Sequence, residues 1–318
     1  MKIVVLDRPL EKPSELDWSA LNAFGEVTIY DRSAPGEVIP RIGDAEIVML
    51  NKAIVTEDTF QACPNIRFIS VIGTGYNIVD VEAAARRGIP VANVPSYGTE
   101  AISQHAIALL LEITNHIAHH DAEARKLRRT GPNDWCFWDY PSIELAHKTM
   151  GIIGLGRIGH TTAAVGMALG MHVIAHDMHP DPALAGKVEY VPLDDLYARS
   201  DVIFLHCPLF PETERMINRE SIAKMKDGAI LINNSRGALV DEEALAEALH
   251  SGKIAAAGID AITNEPIEAD HPFMHAPNLF MTPHISWAAL ECRRRLKDIA
   301  IGNVEAYLRG EPRNIVNM

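Results

Sequence analysis

The sequence predicts an α/β protein made of two doubly wound domains, each built on a parallel sheet. Three observations support this prediction. Short runs rich in β-branched residues recur along the chain, helical patterns separate them, and one long helical pattern divides them into two series. Strands that alternate with helices form parallel sheets covered on both faces. A chain of 318 residues is long enough for two such domains, each with its own buried core.

The first series of predicted strands opens the chain. It comprises Lys2–Leu6, Glu26–Tyr30, Glu46–Leu50, Ile66–Ile72 and Val91–Val94. A long helical pattern then runs from about Thr99 to Leu127, and a connection rich in proline, tryptophan and tyrosine follows from Gly131 to Ser142. Because such a break is typical of a domain boundary, residues 1–98 are assigned to the first domain.

The second series of predicted strands follows the break. It comprises Thr149–Ile153, His172–Asp177, Val188–Val191, Val202–Cys207, Ala229–Asn233, Ile254–Asp260 and Leu279–Thr282. The last segment, Trp287–Arg309, has a helical pattern that can pack back on the first domain. We therefore predict that residues 288–318 join residues 1–98, and that the second domain spans residues 99–287.

Charge and composition narrow the classes of function. The net charge of −13 makes nucleic acid a poor partner, because an acidic surface repels phosphate backbones. No stretch approaches the roughly 20 apolar residues of a membrane helix, and charges interrupt the apolar N-terminal run, so neither a span nor a signal peptide is expected. The cysteines are isolated, which disfavours a disulfide or zinc framework and favours a reducing cytoplasm.

A glycine-rich loop indicates a dinucleotide site. Residues Gly154 to Gly159 read Gly-Leu-Gly-Arg-Ile-Gly, which fits G-x-G-x-x-G, and they lie between a predicted buried strand and the apolar-periodic run Ile158–Leu169. In this fold the first glycine allows a tight turn, Gly156 lets the backbone approach a pyrophosphate, and Gly159 allows close helix–strand packing. The helix N-terminus supplies free N–H groups to the phosphates. The alternative is a tight turn that binds nothing.

An acidic residue at the end of the next predicted strand favours NAD. Asp177 follows Gly156 by twenty-one residues, the spacing at which a carboxylate accepts hydrogen bonds from the adenosine ribose hydroxyls. Its negative charge would repel a 2′-phosphate, which favours NAD over NADP.

Polar residues follow three later strands, where ligands bind in open parallel sheets. Arg236 comes after the strand ending at Asn233, and a guanidinium there can grip a carboxylate with two hydrogen bonds. The alternative is a surface arginine paired with Asp241. Asp260 ends the next strand, and the loop after it holds Glu265. His284 follows the last strand, and a carboxylate such as Glu265 would stabilise its protonated form and make it a proton donor. The alternative is a solvated glutamate and a capping histidine.

Taken together, these segments resemble the D-isomer-specific 2-hydroxyacid dehydrogenases over nearly the whole chain. The signatures are Gly73–Asn77, the glycine loop, Asn234–Glu242, Asp260 with Glu265-Pro266, and Thr282–Trp287. The resemblance implies a Rossmann-type cofactor domain, a flavodoxin-like substrate domain and an NAD-dependent oxidoreductase.

The resemblance also implies the roles of site residues. His284 would exchange a proton with the substrate oxygen, Glu265 would orient His284, and Arg236 would bind the substrate carboxylate and polarise the carbonyl. Asp260 would hold the nicotinamide carboxamide. The residues implied along the cofactor are Thr74, Gly154, Gly156, Arg157, Ile158, Gly159, Asp177, Cys207, Pro208, Thr213, Asn234, Ser235, Arg236, Asp260 and His284. The residues implied at the substrate are Lys52, Gly75, Tyr76, Arg236 and Trp138.

Within the family, the chain is most similar to glycerate dehydrogenases, also called hydroxypyruvate reductases. The supporting segments are Asn51-Lys52, Val94–Thr99 and Trp135–Trp138. The implied substrates are hydroxypyruvate or glyoxylate, and D-glycerate or glycolate in reverse. Two alternatives stay open: the substrate is D-lactate or another 2-hydroxy acid, or the chain is an NAD-sensing binding protein similar to a corepressor. The resemblance further implies a homodimer through the helix around residues 99–127, with Trp135 or Trp138 reaching the partner's site or serving as a core or interface aromatic.

Three other patterns carry less weight. His116, His119 and His120 share the spacing of a helical metal face, but packing at a subunit interface explains them better, and no metal is expected. The sequence Asn233-Asn234-Ser235 fits a glycosylation acceptor, yet it falls inside the expected site. Cys207 is interpreted as a small pocket-lining residue, because no activating neighbour is evident.

Overall fold

The computed structural model describes residues 1–8, 16–126, 135–184 and 186–318. These residues divide into two compact units: unit 1 is Met1–Gly98 with Ala288–Met318, and unit 2 is Thr99–Trp287. Every ladder between the strands described is parallel. The predicted α/β class with two parallel sheets is therefore confirmed.

Unit 1 contains a sheet with the strand order β2-β1-β3-β4-β5, which is the flavodoxin-like order. Its strands are β1 Lys2–Val5, β2 Glu26–Ile29, β3 Ile47–Leu50, β4 Phe68–Val71 and β5 Val91–Ala92. Its first helices are α1 Val38–Ile42, α2 Glu57–Ala62 and α3 Val81–Arg86. Strands β3 and β4 are buried throughout because helices cover both faces of the sheet.

The C-terminal segment completes unit 1. The helix Leu290–Leu308 packs on β4, where the rings of Phe68 and Tyr307 stack at 4.4 Å between centroids. Beyond this helix, Ile315 forms an antiparallel bridge with Ala92. The side chain of Asn317 accepts a hydrogen bond from the Val91 amide at 2.8 Å. The last residues of the chain therefore cover the edge at β5.

Unit 2 contains a sheet with the order β12-β11-β10-β9-β6-β7-β8. Its strands are β6 Thr149–Ile153, β7 His172–His176, β8 Glu189–Tyr190, β9 Val202–Leu205, β10 Ala229–Asn233, β11 Ile254–Ile259 and β12 Leu279–Met281. Its helices are α4 Thr99–Asn115, α5 Ile117–Ala124, α6 Arg157–Ala168, α7 Leu193–Arg199, α8 Arg219–Lys224 and α9 Glu242–Ser251. The strand order reverses between β6 and β9, and ligands bind at the carboxyl ends of the strands at such a switch point.

Apolar side chains of the unit 2 strands point to both faces of the sheet. On β9, Phe204 faces the cluster that includes α4, whereas Leu205 faces the cluster that includes α9. This two-sided burial explains why the strands read as continuous apolar runs. Within the described ranges, no helix is long and apolar enough to cross a membrane.

The prediction of one helical segment from Thr99 to Leu127 is wrong. Helix α4 ends at Asn115, and α5 begins at Ile117. Between them, His116 adopts a left-handed backbone with φ of 50°, and its ring stacks on Tyr140 at 4.4 Å between centroids. A left-handed residue cannot continue a right-handed helix, so the axis breaks there. Leu127 and residues 131–134 of the predicted connection lie outside the described residues.

Candidate active site

The glycine loop follows β6, and its three glycines differ in how much space surrounds them. Gly154 has φ of +91°, and a Cβ on it would lie 2.6 Å from the backbone nitrogen of Cys207. A Cβ on Gly159 would collide with the carbonyl oxygen of Gly154. At Gly156, a Cβ would meet no atom within 4 Å. Gly154 and Gly159 are thus required by the protein's own packing, whereas Gly156 leaves open space beside the N-terminus of α6.

Asp177 lies beside this loop, directly after β7. One carboxylate oxygen accepts a hydrogen bond from the Leu155 amide at 2.6 Å, and the other accepts one from the His179 amide at 2.8 Å. These bonds fix the carboxylate while each oxygen keeps a further acceptor site. The open approach at Gly156, the free N–H groups of α6 and the fixed Asp177 fit a dinucleotide with a ribose that carries free hydroxyls.

Replacing Asp177 is expected to weaken discrimination against NADPH. The variant Asp177→Ala removes the predicted acceptor for the ribose hydroxyls and the charge that is predicted to repel a 2′-phosphate. We expect KM for NADH to rise about tenfold, the equivalent of one hydrogen bond to a charged group, with a smaller change for NADPH. Steady-state kinetics with both cofactors measures the ratio, and Asp181→Ala on the same loop is the matched control. An unchanged ratio would contradict the assignment.

The segment after β9 forms a wall beside the glycine loop. Cys207 is buried, its sulfur lies 3.7 Å from that of Met216, and burial raises the pKa of its thiol to about 11. A thiol that stays protonated is a poor nucleophile. Further along, the Thr213 hydroxyl donates to the Pro208 carbonyl at 2.8 Å and accepts from the Phe210 amide at 2.8 Å. Thr213 therefore closes the loop that carries Pro208.

His206 is a buried group that the sequence reasoning missed. Its Nε2 lies 2.9 Å from the Thr162 hydroxyl, which donates to the Ser103 hydroxyl at 3.0 Å. Since Thr162 uses its hydrogen on Ser103, it accepts the Nε2–H of His206. The other ring nitrogen, Nδ1, is buried without a hydrogen-bond partner. Burial lowers the pKa of His206 to about 4, so the ring is neutral near pH 7.

This burial predicts a loss of stability in mild acid. The folded state favours the neutral ring of His206. The contribution of this ring to the free energy of unfolding is therefore fully present above pH 6.5 and is lost as the pH falls from 6.5 towards 4. The gap between these pKa values corresponds to about 3 kcal/mol. Urea unfolding at pH 7 and pH 4.5 measures the effect. We expect His206→Gln to flatten this pH dependence and His172→Gln, on an exposed strand position, to preserve it; equal slopes in all three proteins would refute the prediction.

Arg236 follows β10 with its guanidinium exposed. Asn233 donates through Nδ2 to the Arg236 carbonyl at 2.9 Å, which fixes the backbone, and the guanidinium donates to the Ser235 carbonyl at 2.9 Å. Among the described residues, no carboxylate lies within ion-pair distance of it. The alternative partner, Asp241, instead caps α9 by accepting from the Ala244 amide at 3.0 Å. The donors of Arg236 are thus available to a carboxylate ligand.

His284 and Glu265 form a hydrogen-bonded pair. The Nδ1 of His284 lies 2.8 and 2.9 Å from the two carboxylate oxygens of Glu265. Because a carboxylate only accepts, Nδ1 carries the hydrogen. In the part of the chain that the structure describes, Nε2 of His284 has no protein partner. The ring can therefore present Nε2 to a ligand while Glu265 holds the opposite side.

Asp260 lies beneath the segment that carries His284. Its carboxylate, which is fully buried, accepts hydrogen bonds from the Thr282 hydroxyl at 2.6 Å, the Ile285 amide at 2.8 Å and the Ser286 amide at 2.9 Å. Its predicted contact with the nicotinamide carboxamide stays a prediction. The structure shows a further role of Asp260 that was not predicted from the sequence: its hydrogen bonds hold the loop on both sides of His284.

Asn234 and Ser235 brace the same region. Asn234 donates to the Ile102 carbonyl of α4 at 2.9 Å and to the Ser286 hydroxyl at 3.3 Å, and Ser235 donates to the Leu205 carbonyl at 2.7 Å. Asn233, the acceptor position of the Asn-x-Ser pattern, is buried and is therefore a poor acceptor for a glycan.

The predicted cofactor residue Thr74 and the predicted substrate residues of unit 1 lie on exposed loops after its strands. Thr74, Gly75 and Tyr76 follow β4, and Lys52 follows β3. The Thr74 hydroxyl donates to the Val94 carbonyl at 2.8 Å. Sequence reasoning missed Asp7, whose buried carboxylate accepts from the backbone amides of Asn51, Lys52 and Ala53. Burial raises the pKa of Asp7. Its position directly after a buried strand is a signal that could have found it.

The histidines near the helix break do not form a metal face. His116 lies in the break, and His119 bonds to Asp139 at 2.9 Å. Among the described residues, no group of three or more His, Cys, Asp or Glu side chains is placed to hold a metal ion. Trp135 and Trp138 are 94% and 71% exposed, so the reading of either as a core aromatic is wrong.

Comparisons with known proteins agree with this geometry. A family model described as "D-isomer specific 2-hydroxyacid dehydrogenase, NAD binding domain" matches residues 107–286. The chain is 55% identical over 321 residues to a hydroxypyruvate reductase of Blautia hydrogenotrophica, with 100% of both chains covered. It is 37% identical over 318 residues to a glycerate dehydrogenase of Methylorubrum extorquens, with 99% of this chain and 98% of the relative covered.

A solved structure of similar fold contains the expected cofactor. The D-lactate dehydrogenase of Aquifex aeolicus, complexed with NAD and lactic acid, aligns with a TM-score of 0.85 and 27% identity, with 99% of each chain covered. The predictions of an oxidoreductase and of NAD as its cofactor are confirmed by the family match. The chain belongs to the D-isomer-specific 2-hydroxyacid dehydrogenase family.

Proposed function

We propose that the protein reduces hydroxypyruvate or glyoxylate with NADH to D-glycerate or glycolate, and catalyses the reverse oxidation. The observation that carries this proposal is the His284–Glu265 pair, which leaves Nε2 of His284 as a proton donor. The names of the 55% and 37% identical relatives support the choice of substrate.

Three side chains of unit 2 divide the proposed work on the substrate. Arg236 binds the carboxylate with two hydrogen bonds and polarises the adjacent carbonyl. His284 gives its Nε2 proton to the carbonyl oxygen during reduction and takes it back during oxidation. Glu265 accepts the Nδ1 hydrogen of His284 and fixes the orientation of the ring. NADH, when bound, supplies the hydride that C2 receives.

The loops of unit 1 supply the other proposed substrate contacts. The backbone amides around Gly75 and Tyr76 are proposed to bind the carboxylate. Lys52 adds a positive charge. The hydrogen bonds that three backbone amides donate to Asp7 fix the backbone that carries Lys52.

Oxidation of NADH with a panel of 2-keto acids tests the proposal. We expect hydroxypyruvate and glyoxylate to give the highest kcat/KM, with pyruvate and phenylpyruvate clearly lower and NADH preferred to NADPH. Pyruvate as the best substrate would make the protein a D-lactate dehydrogenase. Tight NADH binding without turnover of any keto acid would instead favour the corepressor-like alternative.

The proposed assembly is a homodimer formed through α4 and the residues that follow it. Three exposed apolar side chains follow α4 in the sequence, namely Ile117, Trp135 and Trp138. Exposed aromatic side chains are enriched at protein interfaces. Light scattering tests the assembly, because Ile117→Asp is expected to shift a dimer towards the monomer.

The proposed location is the cytoplasm, which suits the free thiols, including the exposed Cys136.

A further inference from the structure

The loop that carries His284 depends on a hydrogen-bond chain that reaches helix α4. Nε2 of His105, on α4, lies 3.0 Å from the Thr282 hydroxyl. That hydroxyl lies 2.6 Å from the carboxylate of Asp260, which also accepts the Ile285 and Ser286 amides. The chain therefore runs from α4 through Thr282 and Asp260 to the residues that flank His284.

The direction of each hydrogen bond in this chain follows from chemistry. The Thr282 hydroxyl donates to a carboxylate oxygen of Asp260. A hydroxyl has a single hydrogen, so Thr282 can only accept from His105. His105 therefore carries a hydrogen on Nε2. Its ring also lies 3.7 Å from Asp260, which adds an electrostatic attraction whenever the ring is protonated.

The backbone of His284 needs such support. Its φ of +56° lies in the left-handed region, where a non-glycine residue is costly and persists only when its surroundings hold it. The Trp287 indole donates to the His284 carbonyl at 2.8 Å, and Asp260 holds the next two amides. Loss of one donor to Asp260 would let the carboxylate and both amides relax, and Nε2 of His284 would move with them.

We propose that His105 is a positioning residue, which acts through Thr282 and Asp260 to hold His284 in its reactive geometry. This inference rests on the proposed function of His284. A second tie, from Asn234 to the Ile102 carbonyl, joins the same helix to the loop through Ser286.

Kinetics of matched variants test the proposal. We expect His105→Leu and Thr282→Val each to lower kcat by about 10- to 100-fold, because small misplacement of a reacting group has effects of that size. KM for the keto acid should change less than about threefold. The double variant should be no worse than either single variant, as coupled partners require. His105→Gln and Thr282→Ser, which restore the donor and the hydroxyl, should recover kcat to within about threefold of wild type. Gln104→Ala, an exposed neighbour on α4, is the control.

Nitrogen NMR of the histidine rings provides a test without turnover. We expect the hydrogen of neutral His105 on Nε2 in the wild type, loss of that preference in Thr282→Val, and shifted His284 ring signals in Thr282→Val and His105→Leu but not in Gln104→Ala. A hydrogen on Nδ1 of His105, or wild-type kcat in His105→Leu, would overturn the proposal. If the wild type reduces no keto acid, the proposed function fails, and the NMR result alone decides whether His105 positions His284.

Discussion

His284→Asn is expected to lower kcat for keto-acid reduction by 10²- to 10⁴-fold, the range for removal of a general acid. Asparagine is chosen because it tolerates the left-handed backbone that His284 adopts, and its amide can still donate to Glu265 from near the place of Nδ1. The variant therefore removes Nε2 and little else. Stopped-flow measurement of the NADH signal during a single turnover separates this chemical step from product release.

Two controls make the His284 result interpretable. The thermal midpoint should stay near wild type, since the loop remains supported by Asp260. Glu265→Gln keeps an acceptor for Nδ1 but removes the negative charge, so we expect a smaller loss of about 10- to 100-fold. A His284→Asn enzyme that retains a tenth or more of wild-type kcat would rule out His284 as the proton donor.

Arg236→Gln is expected to lower kcat/KM for the keto acid by about 10²- to 10³-fold. The guanidinium is exposed and makes its side-chain hydrogen bond only to the Ser235 carbonyl within the described chain, so it can form two charge-assisted bonds with a substrate carboxylate. Loss of such bonds is worth about 3 to 4 kcal/mol, which corresponds to the predicted factor. The measurement is steady-state kinetics at saturating NADH.

The lysine variant separates charge from geometry at this position. Arg236→Lys keeps the positive charge but lacks the planar fork, so we expect it to recover part of the loss and no more. Arg219→Gln is the control, because Arg219 pairs with Glu247 on the surface instead. Full activity in Arg236→Gln would show that another group binds the carboxylate.

The parallel strands and the glycine loop could be predicted because their signals are local. Runs such as Thr149–Ile153 and Ala229–Asn233 are apolar on both faces, and the structure has strands with the same bounds. The helix break at His116 could not be predicted, because it depends on packing against Tyr140, which is remote in sequence. Periodicity reports which face of a helix is apolar, but not where a distant ring interrupts the axis.

The candidate site shows the same division. Arg236 and His284 could be found because each follows the carboxyl end of a strand, where polar side chains meet ligands. Local spacing could not show that His284 contacts Glu265, since the intervening loop determines that distance, and only the family resemblance indicated the pair. His105 and His206 escaped notice because their partners, Thr282 and Thr162, come from other elements of the fold. Hydrogen-bond partners that come from another element of the fold are a property of tertiary structure.

The return of the C-terminal segment to unit 1 bears on the order of events during protein synthesis. Unit 2 is one continuous stretch, so all its residues are translated before Ala288. Unit 1 begins earlier but lacks the partner of Phe68 and the cover of the β5 edge until Tyr307 and Ile315 emerge. Unit 1 is thus begun first and completed last. Its β5 edge lacks its pairing segment from the translation of β5 to that of Ile315, and chaperones can bind it during this interval.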